Sequence, residues 1–531
     1  MLVQILTATF WTLIPNSFGD LLIYAILVLT IVIYVKSLKR DKEWLALPGP
    51  IPWPLVGNAP FLGAEPHKKL LELSLKYGPV YRLKMGGIKT VVLCNAEVVR
   101  SALIKQREAF SGRPKFSSYK AVSAGESVVF NDEETLPPWR SHKSKIVRHM
   151  HKYTTSIRTR DKVTDLINTE CMMMVTELDR ISRSKCVNPE NVIRMALANV
   201  MCAVCFGNRF EYDNEEFQKL LSMNTEFGAV IELGPIIDAM PWIKVIPKFK
   251  KAIADYLKIN LQLDTWSRHR VDGVLKTFDN DDVTNVVASM TSEVLEKKSA
   301  GESREITESE TKTIAALSAD ILGAGQHTTS TTFFWVINLL LCFPKVLNKL
   351  TEEVRSKLGN RLPTLEDRTS LSYMDAVLTE VLRFSSPLSS TIPHSTLKDV
   401  KLAGHTIKRG TMVIISQYAV NHDPQNWKNP ENFDPERFLT KNEGGEIIFN
   451  ESLSEKVLAF SIGERKCPGS QLSRMLLFLA TTLLVQVSDL SADLERPPTA
   501  AAEYGLILRP KHLSIKLTLR EHWQRRDSIR A

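Results

Sequence analysis

Phe460-Ser461-Ile462-Gly463-Glu464-Arg465-Lys466-Cys467-Pro468-Gly469 is the stretch that decides the fold of this 531-residue chain. Two glycines flank one cysteine, and the apolar run 472–485 follows with helical spacing. Proline suits the first position of a helix, which predicts Cys467 at the positive end of a helix dipole with its thiol pKa lowered. Because the thiolate is the form that binds metal, the stretch predicts a metal ligand. A structural cysteine buried at a helix start is the alternative.

The composition is that of a globular protein, with 44% hydrophobic and 24% charged residues. The net charge of +9 suits an anionic membrane surface or an acidic protein partner. No arginine-rich run with interleaved aromatic residues occurs, so we expect no nucleic-acid partner. Seven cysteines are an odd and small number, which disfavours a disulfide scaffold and favours a reducing compartment. Cys202 and Cys205 form a C-x-x-C inside an apolar helical run and are interpreted as core residues.

The N-terminal segment is predicted to anchor the chain in a membrane. Residues 21–35 are apolar apart from Thr30 and span about 22 Å as a helix, short of a bilayer core of about 30 Å. Basic residues follow directly and mark that side as cytosolic. A cleaved signal peptide is disfavoured because no small-residue cleavage site follows. We expect an anchor with a basic flank over residues 1–47, a proline-rich hinge over 48–54, and one large domain over 48–531.

Helical periodicity dominates the rest of the chain. It predicts helices over residues 69–77, 163–181, 192–205, 282–297, 308–342, 345–358 and 372–384. Strand-like stretches are short, and they predict one hairpin of 80–84 with 90–94 around Gly86-Gly87 and a second of 406–407 with 411–416 around residues 408–410. Residues 299–303 are the clearest internal linker. The expected fold class is therefore one large, mainly α domain with small β-sheets.

The cysteine stretch resembles the haem-binding signature of the cytochromes P-450, F-x-x-G-x-R-x-C-x-G, at every fixed position. The resemblance implies the cytochrome P-450 fold and haem b as cofactor, with Cys467 as the axial thiolate ligand of iron. It also implies that Arg465 contacts a haem propionate and that Phe460, Gly463 and Gly469 shape the cofactor site. Pro468 has no N–H to donate to the sulfur, which predicts a more electron-donating thiolate and a lower haem potential.

Two further motifs support the resemblance. Glu380 and Arg383 share one helix face, and Arg437 lies in a P-E-R-F element. Together they resemble the buried triad that stabilises the family's core beneath the haem, a structural role. An isolated E-x-x-R motif is weak evidence for the family, because most such pairs lie on the surface.

The segment 324–329 resembles the family's oxygen-activation motif A-G-x-D/E-T, and Thr328 matches its hydroxyl. His327 stands where an acid is usual. A histidine titrates near neutrality and can relay a proton, but a packed or surface histidine has close to equal weight. Asp320, Ala324 and Thr328 recur every four residues and are expected on one helix face.

Trp139 and Lys143 match W-x-x-x-R with lysine for arginine, and they and His394 are expected to contact the haem propionates. Residues 110–114, 205–210, 226–228, 238–242, 392–396 and 504–506 are similar to the animal microsomal family 1 enzymes. Five residues fall at positions that line the substrate cavity in that family: Phe130, Phe227, Asp320, Ala324 and Leu506. For each of them, packing in the core is the competing interpretation.

The resemblance implies a monooxygenase that inserts one atom of O2 into a small apolar aromatic or steroid substrate by hydroxylation or epoxidation. It also implies electrons from NADPH through a separate NADPH-cytochrome P-450 reductase, with cytochrome b5 as a second partner. The expected location is the endoplasmic reticulum membrane (the microsomal fraction), with the catalytic domain facing the cytosol. Two alternatives stay open: a haem-thiolate isomerase that rearranges peroxides, and a non-catalytic haem-binding protein.

Overall fold

The computed structural model describes residues 42–281, 283–298 and 305–524, together with Leu29 and Val32. The α-helices, in chain order, are α1 Lys42–Leu45, α2 Pro66–Tyr77, α3 Ala96–Arg100, α4 Trp139–Thr155, α5 Ile157–Ser182, α6 Glu190–Phe206, α7 Glu215–Ile231, α8 Leu233–Ala239, α9 Pro247–Lys276, α10 Val286–Glu296, α11 Glu308–Cys342, α12 Pro344–Leu358, α13 Ser372–Ser385, α14 Gln417–Asn421, α15 Glu451–Ser454 and α16 Ser470–Val487. The mainly α fold class is confirmed. The anchor and the linker 299–303 lie outside the described residues, apart from Leu29, Val32 and 42–47.

Helix α11 is the central element of the core. A capping box of Thr307 and Glu310 starts it, and Pro344 follows its end, which explains why the predicted bounds are met. It packs against α6, α9, α13 and α16. Helix α16 is long and apolar enough to cross a membrane, yet 78% of it is buried inside the fold. Its apolar surface therefore belongs to the core.

The sheets are small. Strands β1 Val80–Met85, β2 Ile88–Leu93, β6 Met412–Ile415 and β3 His394–Ser395 form a four-stranded sheet in the order β1-β2-β6-β3. The remaining strands pair in twos, as β4 Val400–Leu402 with β5 His405–Ile407, β7 Leu439–Lys441 with β8 Ile447–Phe449, β9 Ser488–Ala492 with β12 Ile515–Leu519, and β10 Ala502–Glu503 with β11 Arg509–Pro510. The first predicted hairpin is confirmed, since Val80 pairs with Leu93 and Met85 with Ile88.

The second predicted hairpin is wrong. Strand β5 pairs with β4, and β6 pairs in parallel with β2. The turn at Ala403 and Gly404, both with positive φ, gives a tight two-residue hairpin upstream of the expected one. The turn 408–410 instead carries the chain from one sheet to another.

The segment after the basic flank lies against the globular body. Trp44 and Leu47 are buried in the cluster beneath the four-stranded sheet. The carbonyl of Pro48 accepts a hydrogen bond from the backbone of Arg82 at 2.8 Å, and the Arg82 guanidinium donates to Gly49. Residues 48–49 are thus held on strand β1.

The predicted triad of Glu380, Arg383 and Arg437 is brought together. Arg383 binds Glu380 in a bidentate pair at 2.7 and 2.8 Å, and both side chains are fully buried. Arg437 contacts the same carboxylate at 3.2 Å. The N–H of Asp434 also donates to it, at 2.8 Å. The carboxylate therefore joins α13 to the segment 434–437.

Replacing Glu380 by alanine should destabilise the protein strongly, because it leaves Arg383 as an unpaired buried cation. The expected loss is about 3–5 kcal/mol of unfolding free energy. The control is Glu177→Ala, which removes a pair with the exposed Arg180 at the same spacing and should cost about 0–1 kcal/mol. Denaturant unfolding of both variants tests this, and equal losses would show that the buried network has no special role.

Candidate active site

Cys467 lies in a loop between a 3₁₀ turn, Gly463–Arg465, and helix α16. Its backbone N–H donates to the carbonyl of Phe460 at 2.9 Å, which closes the loop. The N–H of Gly469 donates to the sulfur. Gly463 has φ +74°, and a side chain there would collide with the carbonyl of Leu103. Only glycine fits this close approach.

Two expectations about this loop are wrong. Helix α16 begins at Ser470, so Pro468 precedes the helix and does not occupy its first position. Burial raises the pKa of the Cys467 thiol, and the opposing effects of the Gly469 N–H and Lys466 are smaller. The helix dipole does not dominate, because its influence falls off within about one turn. A coordinated metal deprotonates a thiol outright, so a ligand role does not require a lowered pKa in the free thiol.

The loop and helix α11 both line a cavity of about 420 Å³. Among the predicted site residues, Gly463 packs on Leu103 outside the cavity and the Glu380 triad lies elsewhere. All the others line the cavity: Phe130, Trp139, Lys143, Phe227, Asp320, Ala324, His327, Thr328, His394, Phe460, Arg465, Cys467, Gly469 and Leu506. The fold thus gathers residues from segments far apart in sequence.

Arg465 is held at the edge of this cavity. Its guanidinium donates to the carbonyls of Ser111 at 2.8 Å, Val128 at 3.1 Å and Asn131 at 2.8 Å. It also lies 3.9 Å from the centre of the Trp139 ring, in a cation–π contact. Two of its five N–H groups remain for a ligand.

Trp139 and Lys143 stand one turn apart on α4. The indole Nε1 donates to the carbonyl of Val128 at 2.9 Å. The ammonium of Lys143 pairs at 2.8 Å with Glu464 in the cysteine loop. That pair fixes α4 against the loop, and the ammonium has two further N–H groups.

His394 is fully enclosed, and burial lowers its pKa well below the usual range. Its Nδ1 lies 2.7 Å from the carbonyl of Phe110 and must therefore carry the proton. Nε2 of the neutral ring then has no proton to give. A contact between His394 and a carboxylate would thus require the imidazolium form.

Arg113 is a cavity residue that sequence reasoning did not single out, although it lies in the quoted stretch 110–114. It donates to the carbonyls of Val129, Ile392 and Pro393, at 2.9–3.0 Å. Burial lowers its pKa to about 10. Burial and the neighbouring Arg113 also lower the pKa of Arg465. This edge therefore carries buried positive charge that favours acidic groups on a ligand.

On α11, the Thr328 hydroxyl donates to the carbonyl of Ala324 at 2.7 Å, so its oxygen remains available as an acceptor. Both residues face the cavity. Gly325 packs on the side chain of Met201 of α6, and an added Cβ would have to displace the methyl end of that methionine. The small residues of this segment thus permit close helix packing and an open cavity wall.

His327 lies on the cavity side of α11 against Gly228 of α7, where an added Cβ would stand 3.1 Å from its Cε1. Burial lowers the pKa of the imidazole, Arg194 and Arg509 act in the same direction, and Glu190 opposes them. The ring is therefore neutral at pH 7 and can gain a proton only below the ordinary histidine range.

Asp320 lines the cavity, but its carboxylate is already bound by the protein. The hydroxyls of Ser123 at 2.8 Å and Ser127 at 2.9 Å donate to it, as does the N–H of Val128 at 2.7 Å. Burial raises the pKa of Asp320 to about 6. The residue therefore ties the loop 123–128 to α11, partners that no sequence spacing could have revealed.

Phe130 and Phe227 pack in one apolar cluster with Val122 and Tyr256, on the cavity side of α7. Leu506 is 38% exposed, and its backbone N–H donates to the carboxylate of Glu232. A polar group missed from the sequence, Asn224, donates to Gln326 at 2.7 Å and also faces the cavity. The cavity lining thus combines this apolar cluster with two oriented amides, those of Asn224 and Asn260.

The residues present fit a haem. A cysteine sulfur faces an apolar cavity, and buried cations lie at one edge, where the two acid groups of the macrocycle would be neutralised. Within the described residues no cluster of three or more His, Cys, Asp or Glu side chains could hold a bare metal ion. A single thiolate suits an iron whose remaining equatorial ligands come from a porphyrin. The site is that of a haem-thiolate protein.

The chain belongs to the cytochrome P450 family, whose model matches residues 47–517. It is similar to cytochrome P450 1B1 of Rattus norvegicus, at 34% identity over 499 residues, 92% of this chain and 90% of that protein. Cytochrome P450 1B1 of Homo sapiens is 34% identical over 98% of this chain and 96% of its own length. Cytochrome P450 1A1 of Opsanus tau is 32% identical over 90% and 91%. The chain is thus an oxidoreductase of the monooxygenase class, with haem iron as cofactor and a cysteine as axial ligand.

Pro468→Ala should raise the haem reduction potential, because alanine adds an N–H next to the sulfur and draws electron density from it. Pro468→Gly adds the same N–H and should shift the potential in the same direction, which separates the N–H from any side-chain effect. Spectroelectrochemical titration of the three proteins measures it. An unchanged or lower potential in both variants would contradict the role given to Pro468.

Proposed function

We propose that this monooxygenase hydroxylates or epoxidises planar aromatic or steroid molecules with electrons from NADPH. The observation that carries the proposal is that Cys467 and Thr328 line the same cavity, whose mainly apolar lining includes Phe130 and Phe227. The similarity to cytochromes P450 1B1 and 1A1 supports the choice of substrate class. Such a cavity binds ligands mainly by apolar contact, with a few polar groups that set orientation.

The cofactor is proposed to be haem b, with Cys467 as its axial ligand. When bound, it supplies the activation of O2 and the electron transfer that no side chain can provide. The free N–H groups of Arg465 and Lys143 would hold its propionates, with Trp139 and His394 beside them. Phe460 and Gly469 would border the macrocycle, and Gly463 would keep the loop against Leu103.

The substrate is proposed to bind between Phe130, Phe227, Ala324 and Leu506. Two aromatic rings in one cluster favour a flat molecule, since offset stacking contributes about 0.5–1.5 kcal/mol beyond burial. Asp320 is proposed to shape this space by holding the loop 123–128, because its carboxylate oxygens already accept hydrogen bonds.

Thr328 and His327, both on α11, are proposed to take part in proton transfer to the cavity. The Thr328 oxygen can accept a hydrogen bond from a protonated group in the cavity, because its own proton goes to Ala324. His327 can pass a proton inward in its imidazolium form. Arg194, Arg509 and Glu190 set the electrostatic field at the ring.

The redox partner is proposed to be NADPH-cytochrome P-450 reductase, with cytochrome b5 as a second donor. A basic surface lies around the cysteine loop and α4, and its exposed members Arg140, Arg148, Lys456 and Lys466 suit an acidic partner. This arrangement would bring the partner's electrons to the side of the protein where Cys467 lies.

An endoplasmic reticulum location with the catalytic domain in the cytosol is proposed as well. The turn 86–87 bonds to residue 56 on one side and residue 239 on the other, so two segments with exposed apolar side chains adjoin. These side chains are Trp53, Leu55, Trp242 and Val245. A patch of this kind suits a membrane surface beside the predicted anchor.

The proposed function is tested by NADPH consumption with added reductase, with and without substrate, in a product screen of polycyclic aromatics, estrogens and fatty acids. We expect oxygenated products from the aromatics or estrogens, and Phe227→Ala should raise KM for them because a stacking face is lost. Peroxide rearrangement without reductase would favour the isomerase, and absence of both activities would favour a haem-binding protein.

His327→Asp should change the pH dependence of the reaction. In the unmodified protein the imidazolium is lost as pH rises through the lowered pKa of His327, so product formed per NADPH should fall across that range. The variant should lack this inflection. The amount of hydrogen peroxide formed per NADPH consumed should also differ from that of the unmodified protein. His151→Asp, on the exposed side of α4, is the control. An unchanged pH–rate curve and unchanged peroxide yield would exclude the relay.

A further inference from the structure

The outer face of α9, which points away from the main cavity, combines exposed leucines with exposed lysines. Asn260 and Leu263 lie on the inner face and line that cavity. On the opposite side, Lys250, Leu257 and Leu261 follow helical spacing, and the two leucines are 53% and 67% exposed. A surface helix normally turns its large apolar side chains toward the core, so this face indicates contact with a second, partly apolar surface.

The segment before α9 extends this apolar character. A 3₁₀ turn over residues 241–245 leads into the helix, and Trp242, Val245 and Ile246 are exposed there. This turn belongs to the apolar patch proposed above to meet the membrane. Residues 241–246 and the exposed side chains of α9 from 248 to 261 thus form one surface, the α9 surface.

The α9 surface carries an excess of positive charge. Five lysines in residues 244–258 are exposed, against a single acid, Asp255. Within the part of the chain that the structure describes, none of these lysines forms an ion pair, whereas Lys408 pairs with Asp399 at 2.9 Å. Unpaired cations beside exposed apolar side chains are typical of segments that bind an anionic membrane surface. The five are Lys244, Lys248, Lys250, Lys251 and Lys258.

We propose that the α9 surface binds the headgroups of anionic phospholipids and so selects negatively charged membrane. The inference rests on the membrane location proposed above and names the lipid class involved. The lysine ammonium groups pair with headgroup phosphate and carboxylate groups, while Trp242, Val245 and Leu257 enter the boundary with the acyl chains. A neutral bilayer offers the same apolar contact without net charge, so the selectivity comes from the lysines.

An acidic protein is the other partner that the charge of this surface would suit. Lipid is favoured because Trp242 and Val245 belong to the exposed patch beside the predicted anchor, and that anchor would hold the patch at a bilayer. The attraction between lysines and anionic headgroups should weaken as added salt screens the charges.

The test is lysine footprinting of the haem-loaded full chain in detergent and in bilayer discs of phosphatidylcholine, alone or mixed with phosphatidylserine. The rate of reductive methylation by formaldehyde is measured for each lysine by mass spectrometry. We expect the five lysines to react at least about threefold more slowly in the mixed discs than in the neutral ones, and high salt to reduce this difference. Lys185, Lys345 and Lys516 are exposed outside the α9 surface and should react equally in both discs.

Two double variants separate this surface from a general effect of charge. Lys250→Gln with Lys251→Gln should reduce the protection of Lys244 and Lys248 in mixed discs by about half or more, because the surface loses two cations. Lys185→Gln with Lys516→Gln makes the same charge change elsewhere and should leave that protection intact.

Three outcomes would overturn the inference, each with a different meaning. Equal rates in both kinds of disc, slower than in detergent, would remove the anionic selectivity and leave the membrane location standing. Rates that neither disc changes relative to detergent would contradict the membrane location as well. Protection that appears in neutral discs only when the acidic reductase is added would assign the surface to a protein.

Discussion

The Cys467 sulfur lines the main cavity, and three contacts fix the conformation of the loop that carries it. Gly463 lies against the Leu103 carbonyl, the Cys467 N–H closes on Phe460, and α16 anchors the chain after Gly469 in the core. Every other feature of the site is arranged around this sulfur. Helix α11 lines the same cavity, and so do Arg113, Lys143 and Arg465, the cations that would hold an acidic macrocycle.

The cost of this arrangement is buried charge. Arg113 and Arg465 are enclosed near each other, and both direct donors to backbone carbonyls of the same surrounding segments. These bonds and the buried Asp132 carboxylate, which acts on both arginines, compensate the cations in part, because a carbonyl carries only a partial charge. A dianionic macrocycle would complete the compensation, so the folded body and its cofactor stabilise each other.

The sequence predicted the elements whose signals are local. The capping box and the proline that follows α11 mark its two ends, and the Gly86-Gly87 turn marks the first hairpin. It failed where the outcome depends on tertiary contacts. The pairing of β6 with β2 is set by a strand more than 300 residues away. The thiol pKa of Cys467 depends on burial, which the motif does not encode.

In the candidate site, the sequence likewise predicted the identities of the residues but not their tertiary partners. The resemblance named the residues that line the cavity, since their identities follow the family pattern. It could not reveal that the Asp320 carboxylate accepts hydrogen bonds from Ser123 and Ser127, nor that Lys143 pairs with Glu464. Those partners come from distant segments, and only the fold brings them within reach.

The most direct measurement of the central claim is the absorption spectrum of the reduced protein with carbon monoxide. Coordination by the Cys467 thiolate predicts the long-wavelength Soret band that a thiolate opposite carbon monoxide produces, and its loss in Cys467→Ser. A spectrum without that band in the unmodified protein, or one that serine leaves unaltered, would contradict the account.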